Sequence, residues 1–75
     1  MLLREFTVDN HTIDVNQDGD KYVVRVMDGG GEKVFYHEFK DYEVIKACLD
    51  QIIKNIENGN TGIGDIIKIL EQKTV

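Results

Sequence analysis

The chain has 75 residues, of which 41% are hydrophobic and 31% charged, with a net charge of −5, two histidines, one cysteine and no proline. That length allows one domain, residues 1–75, with a small core: a chain this short buries only about 60% of its unfolded surface. The composition is too apolar for a disordered segment.

The acids are spread evenly, eight against five bases in residues 1–40 and six against four in residues 41–75. No basic stripe is available to neutralise phosphates, and a negative field opposes nucleic acid. No apolar run exceeds three residues, which leaves no membrane span. Arg4 and Glu5 follow Leu2-Leu3 at once, so no signal-peptide core is expected. Cys48, the single cysteine, has no partner for an internal disulfide and suits a reducing compartment. These features together predict a cytoplasmic protein.

Residues 1–39 read as strands at period two. Phe6 and Val8 alternate with polar neighbours, as do Ile13 and Val15. Between them Asp9-Asn10 tolerates positive φ and suits a two-residue hairpin turn. That turn sets Val8 opposite His11 and Phe6 opposite Ile13, so turn and hydrophobic pattern agree on register. Gln17-Asp18-Gly19-Asp20 is the next turn, leading into Lys21–Met27, the most β-prone segment. Closing it on Asn16 and Lys21 predicts pairs Val15–Tyr22, Ile13–Val24 and His11–Val26. After the break at Asp28-Gly29-Gly30-Gly31 a fourth strand runs from Glu32 to Phe39. Its register is open, because a two- or three-residue glycine loop changes which face Phe35 and Tyr36 occupy.

From Asp41 the period becomes helical. Ile45, Cys48, Leu49, Ile52, Ile53 and Ile56 form one stripe, with Asp41 as N-cap and Gly59 as terminator. Asn58-Gly59-Asn60-Thr61 connects to a second helix with Thr61 as N-cap, whose stripe is Ile63, Ile66, Ile67 and Leu70. Residues 41–72 are thus a helical pair. The predicted fold is α+β: a four-stranded antiparallel β-meander followed by two amphipathic helices on one face, ββββαα. The expected core joins Phe6, Ile13, Val15, Tyr22, Val24 and Val26 to the two isoleucine-rich stripes.

Chemistry-bearing patterns are few. Asp14, Asn16, Asp18 and Asp20 fall at positions 1, 3, 5 and 7 of a calcium-binding loop, with Gly19 at position 6. Position 12, which needs a bidentate glutamate, is Arg25, and the flanks read as strands. These four are therefore weak metal candidates, and a polar hairpin turn accounts for the segment. Cys48 lies within the helical stripe and reads as a buried hydrophobe. Neither His11 nor His37 is placed beside it by spacing, so no nucleophile–base pair is expected. Thr61-Gly62-Ile63-Gly64-Asp65 opens a helix with free amides, yet Asp65 would repel a phosphate. Gly29-Gly30-Gly31 lacks the spacing of a phosphate loop. No enzyme, cofactor or resident metal is expected.

The remaining feature is the second face of the sheet. If Tyr22, Val24 and Val26 point inward, Val23, Arg25 and Met27 point outward. Neighbouring strands add Leu3, Thr7 and Thr12, with either Val34 and Tyr36 or Phe35 and His37. Such half-apolar faces often mark association surfaces. The sequence therefore predicts a small non-catalytic interaction or regulatory domain. It would self-associate, most simply as a homodimer, through this face or a sheet edge, with Val23, Arg25, Met27, Leu3 and Tyr36 as interface candidates. The alternative is an acidic inhibitor that binds a basic cleft of a larger protein, and a third reading is a calcium-dependent module that uses the Asp14–Asp20 turn.

Overall fold

Turn chemistry sets the order of the sheet. The computed structural model describes residues 1–59 and 61–73. Strands β1 (Leu2–Val8), β2 (His11–Asp18), β3 (Lys21–Met27) and β4 (Lys33–Phe39) form an antiparallel sheet in the order β1-β2-β3-β4. Helices α1 (Tyr42–Glu57) and α2 (Ile63–Gln72) follow. The expected ββββαα arrangement is the one observed. Among the described residues, no helix is long and apolar enough to cross a membrane.

At the first turn Asp9 and Asn10 adopt φ of 51° and 59°, the primed turn that matches the twist of a hairpin. Val8 pairs with His11 and Phe6 with Ile13, as the sequence predicts. The second hairpin departs from expectation. Its turn is the two residues Gly19-Asp20, with Gly19 at φ 65°, and Asp18 pairs with Lys21. Val15 therefore opposes Val24 and Ile13 opposes Val26, two residues away from the predicted register. Glycine takes the positive φ at the first turn position at little cost, and the tighter turn extends the ladder. Because the shift is even, the same residues still face inward.

The third loop settles the fourth strand. The carbonyl of Asp28 accepts from the Gly31 amide at 3.0 Å, and Gly31 has φ of 83°. The Asp28 amide donates to the Glu32 carbonyl at 2.8 Å. The Asp28 carboxylate also accepts from the amides of Gly30 and Glu32, at 2.9 and 2.8 Å. This is a three-residue loop closed by a left-handed glycine. A bulge follows, since Val26 pairs with Phe35 but Met27 with Lys33. As a result Phe35, His37 and Phe39 face the helices and Tyr36 faces outward.

The core lies between the inner sheet face and both helices. Ile13, Val15, Val24, Val26 and Phe39 are buried against Ile45, Cys48, Leu49, Ile52, Ile66 and Leu70. Phe6 and Tyr22, expected in the core, are half-buried and pack against it. Asp41 caps α1, its carboxylate accepting from the Glu43 amide at 3.0 Å. Gly59, at φ 74°, ends that helix. Asn60 of the predicted connector lies outside the described residues.

The N-cap of α2 is Gly62 rather than Thr61. A remote residue supplies the missing side-chain acceptor: the Asp9 carboxylate accepts from the Ile63 amide at 2.9 Å across 54 residues of sequence. The Asp65 carboxylate accepts from the Gly62 amide at 3.4 Å. Two carboxylates thus satisfy the helix start, where anions are favoured by the macrodipole.

Candidate interaction surface

Both helices cover one face of the sheet, and the register defines the other. Its rows read straight across the four strands. Glu5, Asp14, Arg25 and Tyr36 form the middle row, flanked by Thr7, Thr12, Met27 and Lys33 on one side and Leu2, Asn16, Val23 and Glu38 on the other. Asp18 and Lys21 close the end.

Leu3 is not part of this face. A bulge between Leu2 and Arg4 takes it out of strict alternation, and it packs against the core. Leu2 takes its place outside and is 53% exposed. The other interface candidates, Val23, Arg25, Met27 and Tyr36, all face outward. Val23 and Met27 are half-buried, whereas Val34 and Tyr36 are exposed at 43% and 47%.

An ion pair stands at the centre. Arg25 Nε donates to Asp14 Oδ1 and its Nη2 to Asp14 Oδ2, both at 3.2 Å. The parallel fork is the strong, orientation-specific form of this contact. Asn16 Nδ2 adds a third donor to Asp14 Oδ1 at 3.0 Å. Asp14 is only 5% exposed although no layer covers the face, and its Arg25 partner stays accessible. The hydrogen bond and charge of Asp14 raise the pKa of the Arg25 guanidinium above its ordinary value. Around the pair, Lys21 approaches Glu38 at 3.9 Å, Tyr36 Oη donates to Glu38 Oε2 at 3.3 Å, and Lys33 Nζ lies 4.6 Å from the centre of the Tyr36 ring.

This geometry relocates the metal candidates. Asp14, Asn16 and Asp18 lie on one strand, Asp20 sits in the following turn, and Asp14 is engaged by a guanidinium. Among the described residues no group of three or more histidine, cysteine, aspartate or glutamate side chains is gathered to hold an ion.

The remaining reactive side chains are dispersed. Cys48 is buried between the helices, and desolvation pushes its thiol pKa up, partly opposed by Lys73. His11 Nδ1 donates to the Asp9 carbonyl at 2.7 Å in the first turn. His37 meets the edge of Phe39 with ring centres 4.6 Å apart. Neither histidine lines the hollow beside Cys48.

Comparison of the chain with models of protein families, with curated proteins and with solved structures finds no match.

One cleft competes with the open face as a site. It has a volume of about 410 Å³ and lies between β1 and the first half of α1. Leu3, Tyr22, Tyr42 and Leu49 line it, with Arg4, Lys46 and Asp50 around it. Tyr22 and Tyr42 pack at 5.3 Å between ring centres. Those three charged residues are exposed, and among the described residues no buried side-chain polar atom lacks a partner. The cleft thus has a greasy wall and a solvated rim, without a polar group held dry for a ligand. The Asp14–Arg25 pair was not among the residues expected to face each other. Its signal was present as opposite charges at outward positions of adjacent strands.

Proposed function

We propose that the chain is a non-catalytic interaction domain that associates with a second copy of itself through the outer sheet face. The observation that carries this reading is the uncovered face itself. A four-stranded sheet with both helices on one side exposes Leu2, Val34 and Tyr36 on the other, with Val23 and Met27 half-buried between them. Apolar side chains around a buried carboxylate and its accessible guanidinium partner make a half-apolar patch of the kind that marks association surfaces.

The alternative of an acidic inhibitor finds less support on this face. Its carboxylates share it with Lys21, Arg25 and Lys33, so the sheet does not present a uniformly negative surface to a basic cleft.

Sedimentation equilibrium up to millimolar concentration tests the proposal. Val23→Thr combined with Met27→Thr removes apolar surface without changing charge or strand propensity. The wild type is expected to dimerise and the double variant to associate less tightly, with an unchanged fold. A wild type that stays strictly monomeric at millimolar concentration refutes the reading.

A further inference from the structure

The outward side chains are divided by sign. Those of β1 and β2 include Glu5, Asp14 and Asp18 and no basic residue; those of β3 and β4 include Lys21, Arg25 and Lys33 with one acid, Glu38. Arg4, the basic residue of β1, pairs with Val15 and borders the cleft on the helical side.

Two copies can meet face to face about a two-fold axis in two principal ways. An axis across the strands sets β1 over the partner's β1, so acids face acids. An axis along the strands sets β1 over the partner's β4 and β2 over the partner's β3, so acids face bases. We propose that this face is built for the second arrangement: a second copy of this chain docks with the two-fold axis parallel to the strands. The inference rests on the self-association reading above and adds its geometry.

The middle row supports it. Read from β1 to β4 it is Glu5, Asp14, Arg25, Tyr36, and the reversed partner row places an Arg25 over each Asp14 and a Tyr36 hydroxyl over each Glu5. In the same way each Asp18 faces a Lys21. An isologous contact requires this self-complementarity, in which i meets j and j meets i. Aligned sheets cross at about 30°, which preserves the central pairings and loosens the corners. Glu5 and Asp18 are exposed, so their carboxylates can reach across.

The face is small. Four strands about 4.8 Å apart and seven residues at about 3.4 Å each give a footprint of about 450 Å² per copy. That lies at the low end for specific association, so the dimer is weak and forms as concentration rises.

Charge exchange tests the orientation. One variant carries Glu5→Lys and Asp18→Lys; the other carries Lys21→Glu and Lys33→Glu. Sedimentation equilibrium at low salt is run on the wild type, each variant and their equimolar mixture, with urea unfolding to show that each variant is folded. With the axis along the strands, each variant alone sets like charges face to face where residue 18 lies over the partner's residue 21, while residues 5 and 33 lie over Tyr36 and Thr7 and change only the surrounding charge. Its dissociation constant should rise at least about tenfold, and the mixture should regain wild-type affinity. A wild type that dimerises while both single-sign variants keep its affinity overturns the orientation and leaves self-association standing. Variants that weaken singly but fail to pair in the mixture also overturn it. A wild type that never dimerises overturns both.

Discussion

Replacing Arg25 should reveal what a buried carboxylate costs when its partner is removed in two different ways. Asp14 is 5% exposed and holds three side-chain hydrogen bonds, two from Arg25 and one from Asn16. Arg25→Met keeps an apolar stem over the carboxylate but removes both guanidinium donors. Breaking a buried pair from one side costs about 3–5 kcal/mol in a dry site. Asn16 remains as a donor and the face is open to solvent, so about 2–3 kcal/mol is expected. Arg25→Ala opens a path for water to Asp14 and should cost less, about 1 kcal/mol, the range of an ordinary solvated hydrogen bond. Asp14→Asn leaves an accessible guanidinium that water can solvate, and about 1 kcal/mol is expected again. Urea unfolding at micromolar protein, below the concentration of association, measures all three on one scale. The expected order is Arg25→Met well above Arg25→Ala and Asp14→Asn. If Arg25→Met costs no more than Arg25→Ala, Asp14 is not desolvated in solution and the pair is an ordinary surface contact.

Other outcomes follow from the same geometry. Cys48 should resist thiol reagents in the native state and react at the free-thiol rate once unfolded. Its folded pKa is raised, so the stability it contributes is complete below the unfolded value of about 8.5 and is lost as pH rises through the folded one. Urea curves at pH 7 and pH 9.5 should therefore diverge more for wild type than for Cys48→Ala. Asp9→Ala should cost about 1–2 kcal/mol, since it removes both the cap on Ile63 and a residue that tolerates positive φ. Asp9→Asn keeps the turn and an acceptor oxygen and should cost under about 0.5 kcal/mol in the same urea assay. Millimolar calcium should leave the melting temperature unchanged, because Arg25 already occupies Asp14; a rise in calcium that Asp18→Ala abolishes would refute this.

Local signals carried most of the fold. Asp9-Asn10 fixed the first register because a two-residue primed turn admits one closing pair. The stripe from Ile45 to Ile56 fixed α1 because its cap, Asp41, and its terminator, Gly59, are both local. The second hairpin was less determined, since registers two residues apart bury the same Ile13, Val15, Val24 and Val26 and hydrophobicity cannot choose between them. That slip also hid the centre of the candidate surface. In the predicted register Asp14 opposes Val23 and Arg25 opposes Thr12, whereas the observed one brings the two charges together. Leu3 and Tyr36 depended on bulges, which insert a residue without altering the sequence pattern. The Asp9–Ile63 cap is a tertiary contact, beyond the reach of any window that reads neighbouring residues.

That cap also bears on the route by which the chain folds. Each strand pairs with its neighbour in sequence, so the sheet assembles by closing short loops, the inexpensive steps of folding. The bond from Asp9 to Ile63 instead joins the first turn of the sheet to the start of α2, 54 residues away in sequence. α2 acquires its cap only in molecules whose first hairpin already holds Asp9 in the turn. A ten-residue helix is marginal on its own in water. Here its opening is tied to that of β1 and β2, and amides at the start of α2 should exchange with the first hairpin as one cooperative unit.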